Sequence, residues 1–195
     1  MRKTKIFTIP NIISIIRIAI IPFFVYFYFT SSIENHYIYS LYVLLISGAS
    51  DIVDGFIARR FNMISDLGKV LDPIADKLTQ GVVLFCLLLS RIYLIPMFVV
   101  LVVKELLQAF AATIILKSGR KPISSKWFGK LSTVMIYISM FYVILVDYFD
   151  GRFYLPVWLI YVLMSASIVC MIISMLGYIR IFLKPISAEP AESKN

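Results

Sequence analysis

Six stretches of this chain are apolar and long enough to cross a lipid bilayer, and only short polar breaks separate them. A span of about 20 residues at ~1.5 Å rise matches a hydrocarbon core ~30 Å thick. Inside that core each backbone N–H and C=O must be satisfied within its own segment, so each stretch is predicted to be a helix. They fall at about 10–30, 37–60, 68–89, 93–116, 128–149 and 155–183. The sequence predicts an all-α integral membrane protein built as a six-transmembrane-helix bundle. Composition agrees: 61% of the 195 residues are hydrophobic and 15% charged, against roughly 25% charged in soluble domains. Residues 1–185 read as one membrane domain, and 186–195, polar and containing Pro190, as a disordered tail.

Arg2, Lys3 and Lys5 ahead of the first run suggest a signal peptide at first sight. The run is too long for one, and no small-residue cleavage site follows it, so it reads as a retained first span. The remaining charge sets orientation. Fourteen Lys and Arg fall at the N-terminus, in the 59–69 and 117–130 connections and at the C-terminal end, against Arg91 and Arg152 on the other side. That asymmetry predicts cytoplasmic termini in a multi-pass cell-membrane protein. It also argues against nucleic acid as a partner, since no single basic face gathers the charge. Cys86 and Cys170 lie within apolar runs and read as core residues. His36, the only histidine, lies in a loop, which disfavours a zinc or haem site.

Against this background the segment Asp51–Asp76, DIVDGFIARRFNMISDLGKVLDPIAD, is anomalous. A carboxylate at mid-helix costs about 2.5–3.5 kcal/mol on insertion, and four of this segment's aspartates, Asp51, Asp54, Asp72 and Asp76, fall within predicted helices. Helical periodicity puts Asp51, Asp54, Gly55 and Ala58 on one face of the second helix, and Gly68, Asp72 and Asp76 on one face of the third. If the two helices lie side by side the four aspartates converge, and such a cluster is ionised only with cations present. An all-oxygen donor set points to Mg²⁺ or Mn²⁺, and four carboxylates suit two ions. Gly55 and Ala58 leave a shallow trough beside them, while Arg59 and Lys69 bring positive charge to its rim, suited to phosphate oxygens. Together these features point to a diphosphate-bearing substrate. Small residues also serve close helix contacts, which is the plainer reading of any one of them alone. Arg17, Lys77 and Lys104 are basic residues within predicted spans. Lys77 suits a structural ion pair, and Arg17 and Lys104 reach the depth of the aspartates.

Asp51-x-x-Asp54-Gly55-x-x-Ala58-Arg59, eight residues, Gly68-x-x-x-Asp72-x-x-x-Asp76 resembles the signature of the CDP-alcohol phosphotransferases, with eight specified positions matching within 26 residues. The resemblance implies transfer of a phosphatidyl group from a CDP-linked lipid to an alcohol with release of CMP. It implies that Asp51, Asp54, Asp72 and Asp76 bind two metal ions, and that Asp76 is also the general base. Gly55, Ala58, Arg59, Gly68 and Lys69 would line the nucleotide and diphosphate site. The family also implies a homodimer.

Ile9-Pro10-Asn11, Arg17, Ile21-Pro22 and Leu71–Leu78 resemble the phosphatidylglycerophosphate synthase branch, whose donor is CDP-diacylglycerol and whose acceptor is glycerol 3-phosphate. Arg17, Lys104, Arg120 and Lys130 are then candidates to hold the acceptor phosphate, with Lys121 and Lys126 nearby. Val103-Lys104-Glu105 stands where that branch has Ser-Arg-Glu, and Ser132 where it has Lys, changes that remove a bidentate fork and a charge. A cardiolipin synthase of the same superfamily, with phosphatidylglycerol as acceptor, is the nearest alternative. Outside the superfamily, the rivals are a cation transporter with an acidic coupling site and a lipid-binding scaffold without catalysis.

Overall fold

The computed structural model describes residues 9–60, 68–117, 127–149 and 155–183. They form α1 (Ile9–Phe29), α2 (His36–Arg60), α3 (Gly68–Ser90), α4 (Ile95–Lys117), α5 (Trp127–Phe149) and α6 (Trp158–Leu183), with one 3₁₀ turn at Ile92–Leu94. The six-helix expectation holds, with boundaries close to those read from the pattern. The 61–67 connection between the second and third spans and the polar tail lie outside the described residues.

Prolines account for the larger boundary shifts. The last span begins at Trp158 rather than near 155, because Pro156 disfavours helical backbone at Leu155. The chain turns there through hydrogen bonds from Leu159 N to Pro156 O and Ile160 N to Val157 O, each 3.0 Å. Pro96 sits in the first turn of α4, where a missing N–H costs nothing, and the 3₁₀ turn precedes it. α1 runs through Pro22 as one helix.

Among the described residues, five helices are long and apolar enough to cross a membrane: α1, α3, α4, α5 and α6. α2 is of comparable length, but its C-terminal turns carry Asp51, Asp54, Arg59 and Arg60. The exterior is apolar, with Leu106, Phe110 and Leu89 all more than 60% exposed. The interior combines an apolar core around Phe24, Leu87, Met97, Met140, Ile144 and Met171 with buried small polar residues. Where lipid and core are equally apolar, close packing and interhelical hydrogen bonds hold helices together. Ser139 of α5 and Ser167 of α6 share such a bond at 2.8 Å.

α1 packs along both α2 and α3, and α3 also meets α4 and α5. Among the described residues, direct contact between α2 and α3 is slight, and α1 bridges the two helices.

Candidate active site

The carboxylates of α3 meet a polar edge of α1. Asn11, Ser14 and Arg17 follow one another at three-residue spacing, and all three are buried in a helix otherwise almost wholly apolar. The Ser14 hydroxyl donates to Asp72 Oδ1, and the Arg17 guanidinium donates to Asp76 Oδ1. α1 and α3 run in the same direction, so consecutive turns of one helix serve consecutive turns of the other. Arg17 is wholly buried, and Asp76 is about one-third exposed. The acidic helix thus comes with its own cation, held at the same depth in the bundle.

On its other side Asp76 opens to a polar cleft of about 280 Å³ between α3, α4 and α5. Lys77 and Gln80 of α3, Lys104, Glu105 and Gln108 of α4, and Lys130 and Thr133 of α5 are among its lining residues. Lys104 is buried and Lys77 and Lys130 exposed, so the cleft has one cation in its wall and two at its rim. Glu105 links two of the lysines: Lys104 Nζ lies 3.0 Å from Oε1 and Lys77 Nζ 2.9 Å from Oε2. Lys77 does form the structural ion pair expected of it, with Glu105 as its partner. Ser132, where the resembled branch has lysine, is buried and returns its hydroxyl to Gly129 O at 2.8 Å.

Of the predicted site residues, Arg17, Asp72 and Asp76 are brought together, and Lys104 and Lys130 share a cleft with Asp76. Gly68 is buried at the start of α3. Asp51, Asp54, Gly55, Ala58 and Arg59 fall on the last turns of α2 and Lys69 on the first of α3, but their side chains lie outside the described residues, as does Arg120 altogether. Among the described residues, no group of three or more potential metal-ligating side chains is gathered. The donors in view, Asp72 and Asp76 on successive turns of one face, are hard carboxylate oxygens of the kind Mg²⁺ or Mn²⁺ takes. Each is held by a bond from α1, the support that metal-ligating carboxylates have in general. The residues present therefore fit such an ion.

Ser14, Gln80 and Gln108 join these residues without having stood out in the sequence. The spacing of Asn11, Ser14 and Arg17 in an apolar helix was a usable signal for the first. Gln80 falls one turn beyond Asp76, on the face already singled out.

A second, apolar groove of about 430 Å³ runs between α2 and α5, bounded by Leu44, Gly48 and Ala49 on one side and Tyr137 and Phe141 on the other. A Cβ placed on Gly48 would meet nothing within 4 Å, so the groove is open there. Thr133 lines both the groove and the polar cleft.

Comparison with known proteins adds to this geometry. The chain is 33% identical over 135 residues to a protein of Streptomyces coelicolor named cardiolipin synthase (CMP-forming), an alignment covering 68% of this chain and 63% of that one. It thus spans less than two thirds of that relative's length. It is 30% identical over 147 residues to a CDP-diacylglycerol–glycerol-3-phosphate 3-phosphatidyltransferase of Aquifex aeolicus, covering 74% of this chain and 80% of the relative. A protein of that same name from Rickettsia typhi is 32% identical over 151 residues, covering 76% and 83%. The sequence profile of one family matches residues 7–179, from just before α1 to near the end of α6, and so takes in the acidic segment, the polar edge of α1 and the lysines of the cleft. With nearly the whole helical bundle inside that match, the chain belongs to the CDP-alcohol phosphatidyltransferase family.

Proposed function

We propose that this protein transfers the phosphatidyl group of CDP-diacylglycerol to sn-glycerol 3-phosphate, giving phosphatidylglycerophosphate and CMP. The observation that carries this reading is a single cleft that joins a carboxylate, Asp76, to Lys104 and Lys130. The acceptor's primary hydroxyl attacks the phosphorus attached to diacylglycerol, its proton passes to Asp76, and the bond to the CMP phosphate breaks. Lys104 and Lys130, with Arg120 from the connection between α4 and α5, hold the acceptor phosphate. Gly55, Ala58, Arg59, Gly68 and Lys69 receive the nucleotide and diphosphate. Two Mg²⁺ or Mn²⁺ ions on Asp51, Asp54, Asp72 and Asp76 would neutralise the diphosphate and the departing CMP. Ser14 and Arg17 orient Asp72 and Asp76.

The asymmetry of Lys and Arg supports α2 as a sixth span, cytoplasmic termini and an active site that faces the cytoplasm. The lipid tails stay in the bilayer while CMP leaves to water. Assembly as a homodimer belongs to the same reading.

A second reading, with phosphatidylglycerol as acceptor and cardiolipin as product, is favoured by the apolar groove that meets the polar cleft at Thr133. A lipid acceptor would place its head in one and a chain in the other. The Streptomyces relative carries the name of that activity.

The test is CMP release from CDP-diacylglycerol with Mg²⁺, supplying glycerol 3-phosphate, phosphatidylglycerol or inositol phosphate in turn. Release with glycerol 3-phosphate is expected. Release only with phosphatidylglycerol selects the second reading, and no release with any acceptor overturns both.

A further inference from the structure

We infer that Gln80 reads the acceptor's secondary hydroxyl, the one beside the hydroxyl that reacts. The inference rests on the transferase reading but not on the choice between its two acceptors. Glycerol 3-phosphate and the glycerol head of phosphatidylglycerol both carry a secondary hydroxyl next to a free primary one.

Asp72, Asp76 and Gln80 stand at i, i+4 and i+8 on α3, so the three share one face. Gln80 is one turn beyond Asp76, about 6 Å along the helix axis. That interval is within what a short polyol and an extended amide side chain bridge together. Gln80 is only 5% exposed, and it lines the cleft that holds Asp76. A primary amide brings two donors and an acceptor. Among the described residues the Gln80 amide has no hydrogen-bond partner, and it is not one of the fully buried polar groups left without one, so its polar atoms face the cleft. An amide held in the wall of such a cleft, with no bond inside the bundle, is available to a hydroxyl that enters it. Its neighbour Thr79 shows how the helix deals with a polar side chain of no further use: the hydroxyl turns back to Ala75 O at 2.9 Å.

The other polar groups of the cleft are mostly ionic. Lys77 and Lys104 are bound to Glu105, and Lys130 stands at the rim. A phosphate meets lysine and the reacting hydroxyl meets Asp76, which leaves the neutral amide for the neutral secondary hydroxyl. Gln108, one turn from Lys104 on α4 and half-buried, offers a second amide from across the cleft.

The experiment compares each acceptor with its analogue lacking that hydroxyl: glycerol 3-phosphate with 3-hydroxypropyl phosphate, and phosphatidylglycerol with phosphatidyl-1,3-propanediol. CMP release is followed with the full chain in detergent with Mg²⁺. The wild type is expected to favour the glycerol acceptor in kcat/KM by about tenfold or more, the range for a buried polar group left unmatched. Gln80→Met, similar in shape, should reduce that preference to about threefold or less by raising KM for the glycerol acceptor alone, as loss of one hydrogen bond does. The KM values for the analogue and for CDP-diacylglycerol should stay where they are, which a general loosening of the bundle would not allow. Gln80→Glu keeps the volume and an acceptor oxygen; it should retain part of the preference and serves if the Met variant does not fold. A wild type that turns over without any preference, or a preference left intact in Gln80→Met, overturns the inference. A wild type that releases no CMP with any acceptor overturns the transferase reading instead.

Discussion

Arg91, just beyond α3, grips one carboxylate oxygen of Asp147 on α5 through both Nε and NH2, at 2.9 and 2.7 Å. Tyr28 of α1 donates to the other oxygen at 3.0 Å. This staple lies at the far end of α3 from its aspartates, ~20 Å from Asp76 at helical rise. It also accounts for a cation on the sparsely basic side of the chain. Removing Arg91 leaves Asp147, which is buried, with only a phenol. Arg91→Ala is expected to destabilise the protein by about 3–5 kcal/mol, the cost of orphaning a buried charge, while Arg91→Leu with Asp147→Leu recovers most of it. Thermal unfolding in detergent reads both, and the activity of the folded fraction should not change.

Asp76 is the proposed base, and Asp76→Asn removes the proton acceptor while keeping the shape. Turnover is expected to fall by at least about 10²-fold, the low end of a general-base contribution, with CDP-diacylglycerol binding largely kept. Full activity in this variant would remove Asp76 from that role.

Ser14 supports Asp72 with one hydrogen bond. Ser14→Ala should raise the Mg²⁺ concentration needed for half-maximal CMP release by about tenfold, the low end for losing a supporting bond to a metal ligand. Ser14→Thr keeps the hydroxyl and should stay near wild type. A Mg²⁺ titration of the three proteins decides it.

Lys130 is exposed at the rim of the cleft. Lys130→Met is expected to raise the acceptor KM by about tenfold, as loss of a charged hydrogen bond does, with the donor KM unchanged. Its melting temperature should match wild type, since an exposed substitution seldom moves stability by more than ~0.5 kcal/mol.

The helices were legible because a bilayer-length apolar run allows little besides a helix, and the aspartates stood out because such a run makes each of them costly. Arg17 was visible as a charge out of place; that it would lie on Asp76 was not, since the two are far apart in sequence and periodicity reports only neighbours on one helix. The same reason hides Arg91 and Asp147, 56 residues apart. The sequence offered α2 beside α3 only as a condition for the four aspartates to converge. It gave no means of knowing that α1 packs along both, because all three helices offer apolar faces to lipid and to protein alike. Gln80 passed as an ordinary polar residue until its burial and the cleft beside it were known.

The Arg17–Asp76 pair also bears on how the protein is made. Arg17 emerges from the ribosome 59 residues ahead of its partner. A lone charge at mid-helix costs about 2.5–3.5 kcal/mol on insertion, and α1 carries that burden while α2 is still being synthesised. α3 meets the same difficulty with the opposite sign. Each charge meets its partner only once both helices are in place, so the final packing of α1 follows the arrival of α3. The pair that holds the carboxylate proposed as base is thus also the one that fixes the N-terminal helix in the bundle.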